Sequence, residues 1–282
     1  MKVYLVVIAK MENLYIRDFI EHYKDLNIDK VILYDNNDID GEQFDDVIDD
    51  YIKSGFVKVI NVRGIHPFDN PMHTFLQAYV YHDAYEKYSK ECDWMCFFDV
   101  DEYLVLDHKY NNDIKNFVSD HIFDNFDSIK VAWAVYDDND QIYYENKPLN
   151  ERFTRISFNN INIRPPQVKS IIRCGKEYTY IGAHGRTSPQ YSFCNTEGIP
   201  SNYVIRRCGC NINNFTYKNA YLAHYRFKTI SEYVNNKVKR GYPLSKSETD
   251  RYAKYNIDFF FMYNKKTKEK IDYLKSIGIN VK

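Results

Sequence analysis

The sequence predicts an α/β fold: a mixed, mainly parallel central sheet flanked by helices, with a smaller helical part at the C-terminal end. Three observations predict it. The first hundred residues alternate short, β-branched apolar runs with stretches of helical apolar spacing, which implies right-handed βαβ crossovers and a parallel sheet. The polar residues gather where the apolar runs stop, the end of such a sheet where ligands bind. From about residue 229 the spacing turns helical again.

In chain order, residues 3–9 are continuously apolar and β-branched, the mark of a strand buried on both faces. Ile16, Phe19, Ile20 and Tyr23 then recur at helical spacing. A second strand over 30–34 is broken by Asp35-Asn36-Asn37-Asp38, and Phe44, Val47, Ile48 and Tyr51 mark a second helix. Residues 57–62 make a third strand. A loop carrying His66, Pro67, Pro71 and His73 leads to a helix over about 74–89, and the run 94–98 stops abruptly at Asp99. Residues 129–136 read as a further strand ending in Asp137-Asp138-Asn139-Asp140. The stretch 153–181 mixes short strand-like runs with Pro165-Pro166, and antiparallel strands are expected there. Ile230, Tyr233, Val234 and Val238 begin the closing helical region, which ends near Ile277. The expected division is 1–228 for the sheet-bearing domain and 229–282 for a helical extension.

Composition narrows the function. A chain of 282 residues with 44% hydrophobic and 27% charged residues buries a core and is neither disordered nor fibrous. The 38 Lys+Arg against 39 Asp+Glu argue against a life of phosphate-backbone attraction, so no nucleic-acid partner is expected. No apolar run approaches the roughly 18 residues of a membrane helix, and Lys10 and Glu12 spoil the first run as a secretion signal. A cytoplasmic location follows as the expectation. Six dispersed cysteines do not resemble a disulfide framework, and Cys208-Gly209-Cys210 lacks a second pair at zinc spacing.

The sharpest local signal is Phe97-Phe98-Asp99-Val100-Asp101-Glu102. Carboxylates one residue apart at the end of a buried strand can share a hard cation, and Mg²⁺ or Mn²⁺ keeps coordination sites for substrate phosphates. Read alone, the same string is a solvated acidic turn. No G-x-G-x-x-G follows the first strand, where Lys10-Met11-Glu12-Asn13 stands instead, and there is no Walker lysine loop. Phosphate would then be held by metal and scattered basic groups.

Five motifs in order carry a resemblance: Lys10-Met11-Glu12-Asn13; Leu33-Tyr34-Asp35-Asn36-Asn37; Asp99-Val100-Asp101-Glu102-Tyr103; the strand end from Trp133 to Tyr136-Asp137-Asp138-Asn139; and Ala223-His224-Tyr225-Arg226-Phe227-Lys228 followed by Lys237-Val238-Lys239-Arg240-Gly241. From near residue 1 to about 243 the chain resembles bacterial glycosyltransferases of the family 2-like and family 92-like type, with a GT-A fold. The resemblance implies a Mn²⁺- or Mg²⁺-dependent hexosyltransferase. It would use a nucleotide-diphosphate sugar, most often a UDP-sugar, to build a surface polysaccharide or glycolipid, with inversion. It implies that Asp101 ligates the metal, with Asp99 on the metal, a metal-bound water or the ribose. It further implies that Glu12 and Asp35 face the nucleoside and that His224 makes a further metal or diphosphate contact.

Inverting transfer demands a base opposite the departing diphosphate. Asp138 is the candidate, with an Asx-type turn as its other reading. Lys169, Arg226, Lys237, Lys239 and Arg240 are available to the leaving nucleotide, although a solvated basic helix face is the default reading of the last three. The same basic stretch leaves room for a peripheral contact with the inner face of an anionic membrane. His184, between small residues, is a further candidate for the nucleotide-sugar site. Trp94, Trp133 and the tyrosines at 79, 81, 85 and 88 are expected to pack. Two other readings stay open: a carbohydrate-binding or scaffold protein of the same fold, and a metal-dependent nucleotidyltransferase releasing pyrophosphate.

Overall fold

The computed structural model describes residues 1–65, 76–160, 167–178, 181–182, 191–200, 216–239 and 256–281. The chain forms two compact units, one of residues 1–133 and 164–223, the other of residues 134–163 and 224–282. The readings placed on His66, His73, His184, Cys208, Cys210 and Arg240 lie outside the described residues.

The first unit is built on β1 (Val3–Ala9), β2 (Lys30–Asp35), β3 (Val57–Asn61), β4 (Trp94–Phe97), β5 (Glu102–Leu106), β6 (Ser128–Val135), β7 (Val168–Arg173), β8 (Phe193–Asn195) and β9 (Ala220–His224). The strand order is β3-β2-β1-β4-β7-β6-β9-β5, with β8 also paired to β6. β3, β2, β1 and β4 run parallel, as the alternating pattern predicts. β7 enters between β4 and β6 and is antiparallel to both, so the fold is mixed α/β. β6 and β9 carry the chain onward into the second unit.

The helices of this unit follow from their apolar stripes. In α1 (Ile16–Asp25) the four spaced apolar residues Ile16, Phe19, Ile20 and Tyr23 are all fully buried. Each contributes roughly 1.5–3 kcal/mol of apolar transfer. The helix stops because Asn27 turns left-handed, at φ 65°, a conformation that asparagine tolerates. In α2 (Asp45–Lys53) the stripe is only half used. Ile48 and the preceding Phe44 are buried, while Val47 and Tyr51 are half-exposed beside a kink at Ile48. α3 (Leu76–Tyr88) packs Tyr81, Tyr85 and Tyr88 into a core with Tyr4, Tyr34, Met95 and Phe97, and Trp94 and Trp133 are buried as well. α4 (Ile114–Val118) is capped by Asp113.

The second unit holds α5 (Leu149–Arg152), α6 (Ile230–Tyr233), a π-helical turn over Val234–Val238, α7 (Ile257–Phe261) and α8 (Lys268–Ser276). Its core gathers Val135, Phe227, Ile230, Tyr233, Phe260, Tyr263 and Leu274. Thr229 and Glu232 form a reciprocal capping box at the start of α6. Glu232 also takes a two-pronged ion pair from Arg152, at 3.1 and 2.5 Å, with both side chains buried. Among the described residues, no helix is long and apolar enough to cross a membrane.

Candidate functional site

At the carboxyl ends of β1 and β2 the two loops are stitched together. Ala9 and Asp35 are register partners, and the Met11 N–H donates to Asn37 Oδ1 at 2.7 Å. Glu12 is buried there, and its carbonyl accepts the N–H groups of Tyr15 and Ile16 at the start of α1. Asp35 is buried at the end of β2. Its Oδ1 accepts the Asn37 N–H at 2.9 Å, and its Oδ2 accepts from Arg63 Nε at 2.8 Å and the terminal guanidinium nitrogen at 2.6 Å. Arg63 also donates to the carbonyls of Asp38 and Glu42, so this one side chain fixes the whole loop after β2.

Next in the sheet, β4 ends and the acidic motif turns into β5. The segment is a tight turn, closed by Glu102 N–H to Asp99 O at 3.0 Å, and Glu102 opens a strand that the sequence pattern did not predict. Strand formation follows from the apolar run Tyr103-Leu104-Val105-Leu106 behind the carboxylates. The turn leaves Asp101 at 5% and Glu102 at 0% exposure. A carboxylate oxygen of each lies within 4.8 Å of the other.

Lys169, on the inserted strand β7, has no exposure. Its Nζ stands 2.8 Å from Asp99 Oδ1 and 3.5 Å from Glu102 Oε2. Burial alone would lower its proton affinity, but Asp99 and Glu102 outweigh that and hold it above the ordinary lysine value. Asp99 Oδ1 also accepts from Gln77 Nε2 at 2.6 Å and from the Tyr81 hydroxyl at 3.3 Å, both on α3. Glu102 Oε2 accepts the Asp99 N–H at 2.9 Å. Glu102 Oε1, equally buried, has no hydrogen-bond partner among the described residues. Burial pushes the Glu102 carboxyl well above its ordinary value, with Lys169 pulling the other way.

The arrangement fits a hard divalent cation. A buried carboxylate oxygen without a donor costs desolvation energy, and a second carboxylate next to it raises the cost. Oxygen-only donors of this kind suit Mg²⁺ or Mn²⁺. Of the residues expected at the metal, Asp101 is buried beside Glu102, while Asp99 Oδ1 is already engaged by three donors. Glu102 carries no expected role in the sequence motif, although its position before an apolar run marks it as the buried member. In the sequence Arg63 reads only as a polar residue following the third strand and Tyr81 only as a packing residue, while Gln77 carries no chemical signal.

In the second unit the acidic run after β6 forms a compact knot. Asp137 pairs with Arg155 Nε at 2.6 Å and accepts the Asn139 N–H at 2.8 Å. Asp138, with no exposed side chain, receives Lys270 Nζ from α8 at 2.5 Å on Oδ2 and the Asp140 N–H at 3.0 Å on Oδ1. Its own N–H donates to Asn264 Oδ1 at 2.8 Å. Burial raises the Asp138 carboxyl to about 6, with Lys270 opposing. The Asx-type turn expected here is therefore present, closed by side chains from the last forty residues. His224 is buried at the end of β9, and its carbonyl accepts the Tyr136 N–H at 3.1 Å. Arg226 is half-buried with its guanidinium over the Phe259 ring, 5.0 Å from the centroid, and Lys237 is half-buried in the π-helical turn.

Comparison with known proteins gives three findings. No curated protein sequence matches the chain. Among solved structures, residues 1–349 of TarS from S. aureus in complex with UDP align over 51% of this chain and 38% of that chain, at 15% identity and a TM-score of 0.35. The mannosyltransferase PcManGT from Pyrobaculum calidifontis in complex with GDP-Man and Mn²⁺ aligns over 46% of this chain and 35% of that one, at 7% identity and a TM-score of 0.31. The chain thus spans well under half the length of either structure. The sequence profile of glycosyltransferase family 92 matches residues 6–271, from within β1 into α8. That span takes in the strand ends, the acidic turn before β5, the Asp138 knot and Lys270, and on it the chain belongs to glycosyltransferase family 92.

Proposed function

We propose that the protein transfers a hexosyl group from a nucleotide-diphosphate sugar, UDP-sugars first among them, to a hydroxyl of a glycan or glycolipid acceptor in surface polysaccharide synthesis, with inversion. The supporting observation is the pair Asp101 and Glu102: two buried carboxylates at a strand end, one with an oxygen that has no donor among the described residues. Asp101 and Glu102 would hold Mn²⁺ or Mg²⁺, and His224 keeps the metal or diphosphate contact that the family resemblance gives it. The ion would offset diphosphate charge and stabilise the leaving nucleotide.

The chain's own residues divide the remaining work. Lys169, locked between Asp99 and Glu102, orients the turn, so countercharge for the leaving diphosphate falls to Arg226 and Lys237. Glu12 and Asp35 are the nucleoside contacts, and the Arg63 fan holds the Asp35 carboxylate in one orientation. Asp138 is the proposed base, since a proton affinity near 6 suits proton acceptance at neutral pH. Lys270 favours its ionised form.

A screen of UDP-, GDP- and dTDP-sugars for metal-stimulated nucleotide release, on the wild type and on Asp101→Ala, tests the reading. The expected result is release from one donor class, abolished in a variant that still folds. An Asp101→Ala protein that turns over normally would remove the metal assignment. Absence of manganese and UDP binding in calorimetry would leave a carbohydrate-binding protein, and pyrophosphate as product would make it a nucleotidyltransferase.

A further inference from the structure

Cys92 and Cys174 are 82 positions apart in the chain, yet their sulfurs stand 3.5 Å from each other. The sheet sets this approach. Cys92 lies just ahead of β4 and Cys174 just behind β7, two strands whose antiparallel register puts Trp94 opposite Arg173. The Cys174 N–H donates to the Asp93 carbonyl at 2.8 Å, which extends the pairing by one residue. Backbone hydrogen bonds therefore hold the two thiols together. Both are half-buried at the rim of the core that contains Tyr85, Tyr88 and Tyr178, whereas Cys96 and Cys194 are buried.

We propose that Cys92 and Cys174 are a redox-active dithiol, a modification site whose co-reactant is hydrogen peroxide. In the first step one sulfur attacks the peroxide, the O–O bond breaks, water leaves and a sulfenic acid forms. In the second step the neighbouring thiol attacks that sulfur, the S–O bond breaks, a second water leaves and the S–S bond closes. Two electrons pass from the sulfur pair to the peroxide, and the two thiol protons end in water. Closure from 3.5 Å to a bonded distance of about 2.05 Å needs a movement of about 1.5 Å, within the reach of side-chain rotation. The hydrogen bond that Cys174 makes to Cys92, together with burial, raises the Cys174 thiol above its ordinary value. The bond would tie the entry of β4 to the exit of β7, at the opposite end of that strand pair from Asp99 and Lys169.

The test uses the full chain. Protein treated with hydrogen peroxide is blocked with an alkylating agent, digested without reductant and mapped by mass spectrometry. The expected product is a peptide pair joined through Cys92 and Cys174, two hydrogens lighter than the separate peptides and released by dithiothreitol. The oxidised protein should also melt at a higher temperature than the reduced one, because a cross-link over a long loop restricts the unfolded chain. Cys92→Ser should abolish that shift. Recovery of Cys92 and Cys174 as free alkylated thiols after peroxide, or their linkage to Cys208 or Cys210 instead of to each other, would overturn the proposal. The mapping is done on the wild type, so it does not depend on the variant's folding.

Discussion

Lys270 Nζ lies 2.5 Å from Asp138 Oδ2, and neither side chain has any exposed surface. The pair joins the acidic turn after β6 to the last helix of the chain, and it gives the C-terminal residues a defined task. Removing the cation alone would strand a buried carboxylate. Lys270→Ala should therefore destabilise the protein by about 3–5 kcal/mol in urea unfolding, whereas replacing both partners with apolar residues of similar volume should recover much of the loss. Equal losses for the single and double replacements would show that the pair has no coupling.

The same pair sets a pH dependence. Burial raises the folded-state proton affinity of Asp138 to about 6, above its ordinary value of 3.8. The native state thus binds the proton more tightly than the unfolded chain. The stability from this group is fully present below about pH 4 and is lost as pH rises through about 6, a swing on the order of 3 kcal/mol. Asp138→Asn should flatten the profile of unfolding free energy between those limits. A variant profile that keeps the wild-type slope there would exclude Asp138 as its source.

Lys169 balances two carboxylates without exposure of its own. Lys169→Met should cost about 3–5 kcal/mol, because Asp99 and Glu102 would lose their buried counterion. Added Mn²⁺ should restore part of that loss if the turn is a cation site. Thermal melting of the variant with and without the metal measures both effects.

Glu102→Gln removes charge from the buried oxygen pair and keeps its shape. Nucleotide release should fall by roughly 100-fold or more at a fixed metal concentration, with partial recovery as the concentration is raised. A loss that no metal concentration relieves would point to a structural role for the carboxylate.

Gly198 sits at φ +73°, and a Cβ there would meet the Ile122 carbonyl oxygen at 2.8 Å. Gly198→Ala should destabilise by about 2 kcal/mol, from left-handed backbone strain plus the clash. Denaturant midpoints of the two proteins decide it.

The parallel half of the sheet is legible in the sequence because strands buried on both faces leave unbroken apolar runs, as at 3–9 and 30–34, and because α1 spends its whole stripe on the core. α2 is less legible, since its kink at Ile48 turns half the stripe toward solvent. β5 hides because its first residue is an acid that reads as part of the turn. The site divides in the same way. Asp101 announces itself by sitting next to an apolar strand. Lys169, in contrast, looks like a phosphate ligand until Asp99 and Glu102 are seen to neutralise it from a strand far away in the chain. No local pattern links Asp138 to Lys270, because the pairing belongs to tertiary packing.

The insertion of β7 between β4 and β6 also governs the order in which a nascent chain can mature. β1, β2, β3 and β4 can pair as soon as they leave the ribosome, but the far edge of β4 stays uncovered until β7 is synthesised, about 70 residues later. An apolar edge strand, Trp94-Met95-Cys96-Phe97, is exposed throughout that interval, open to mispairing with other chains. Translation speed between residues 97 and 168, and chaperone occupancy over the same window, should therefore control the yield of folded protein more than the stability of the finished molecule does.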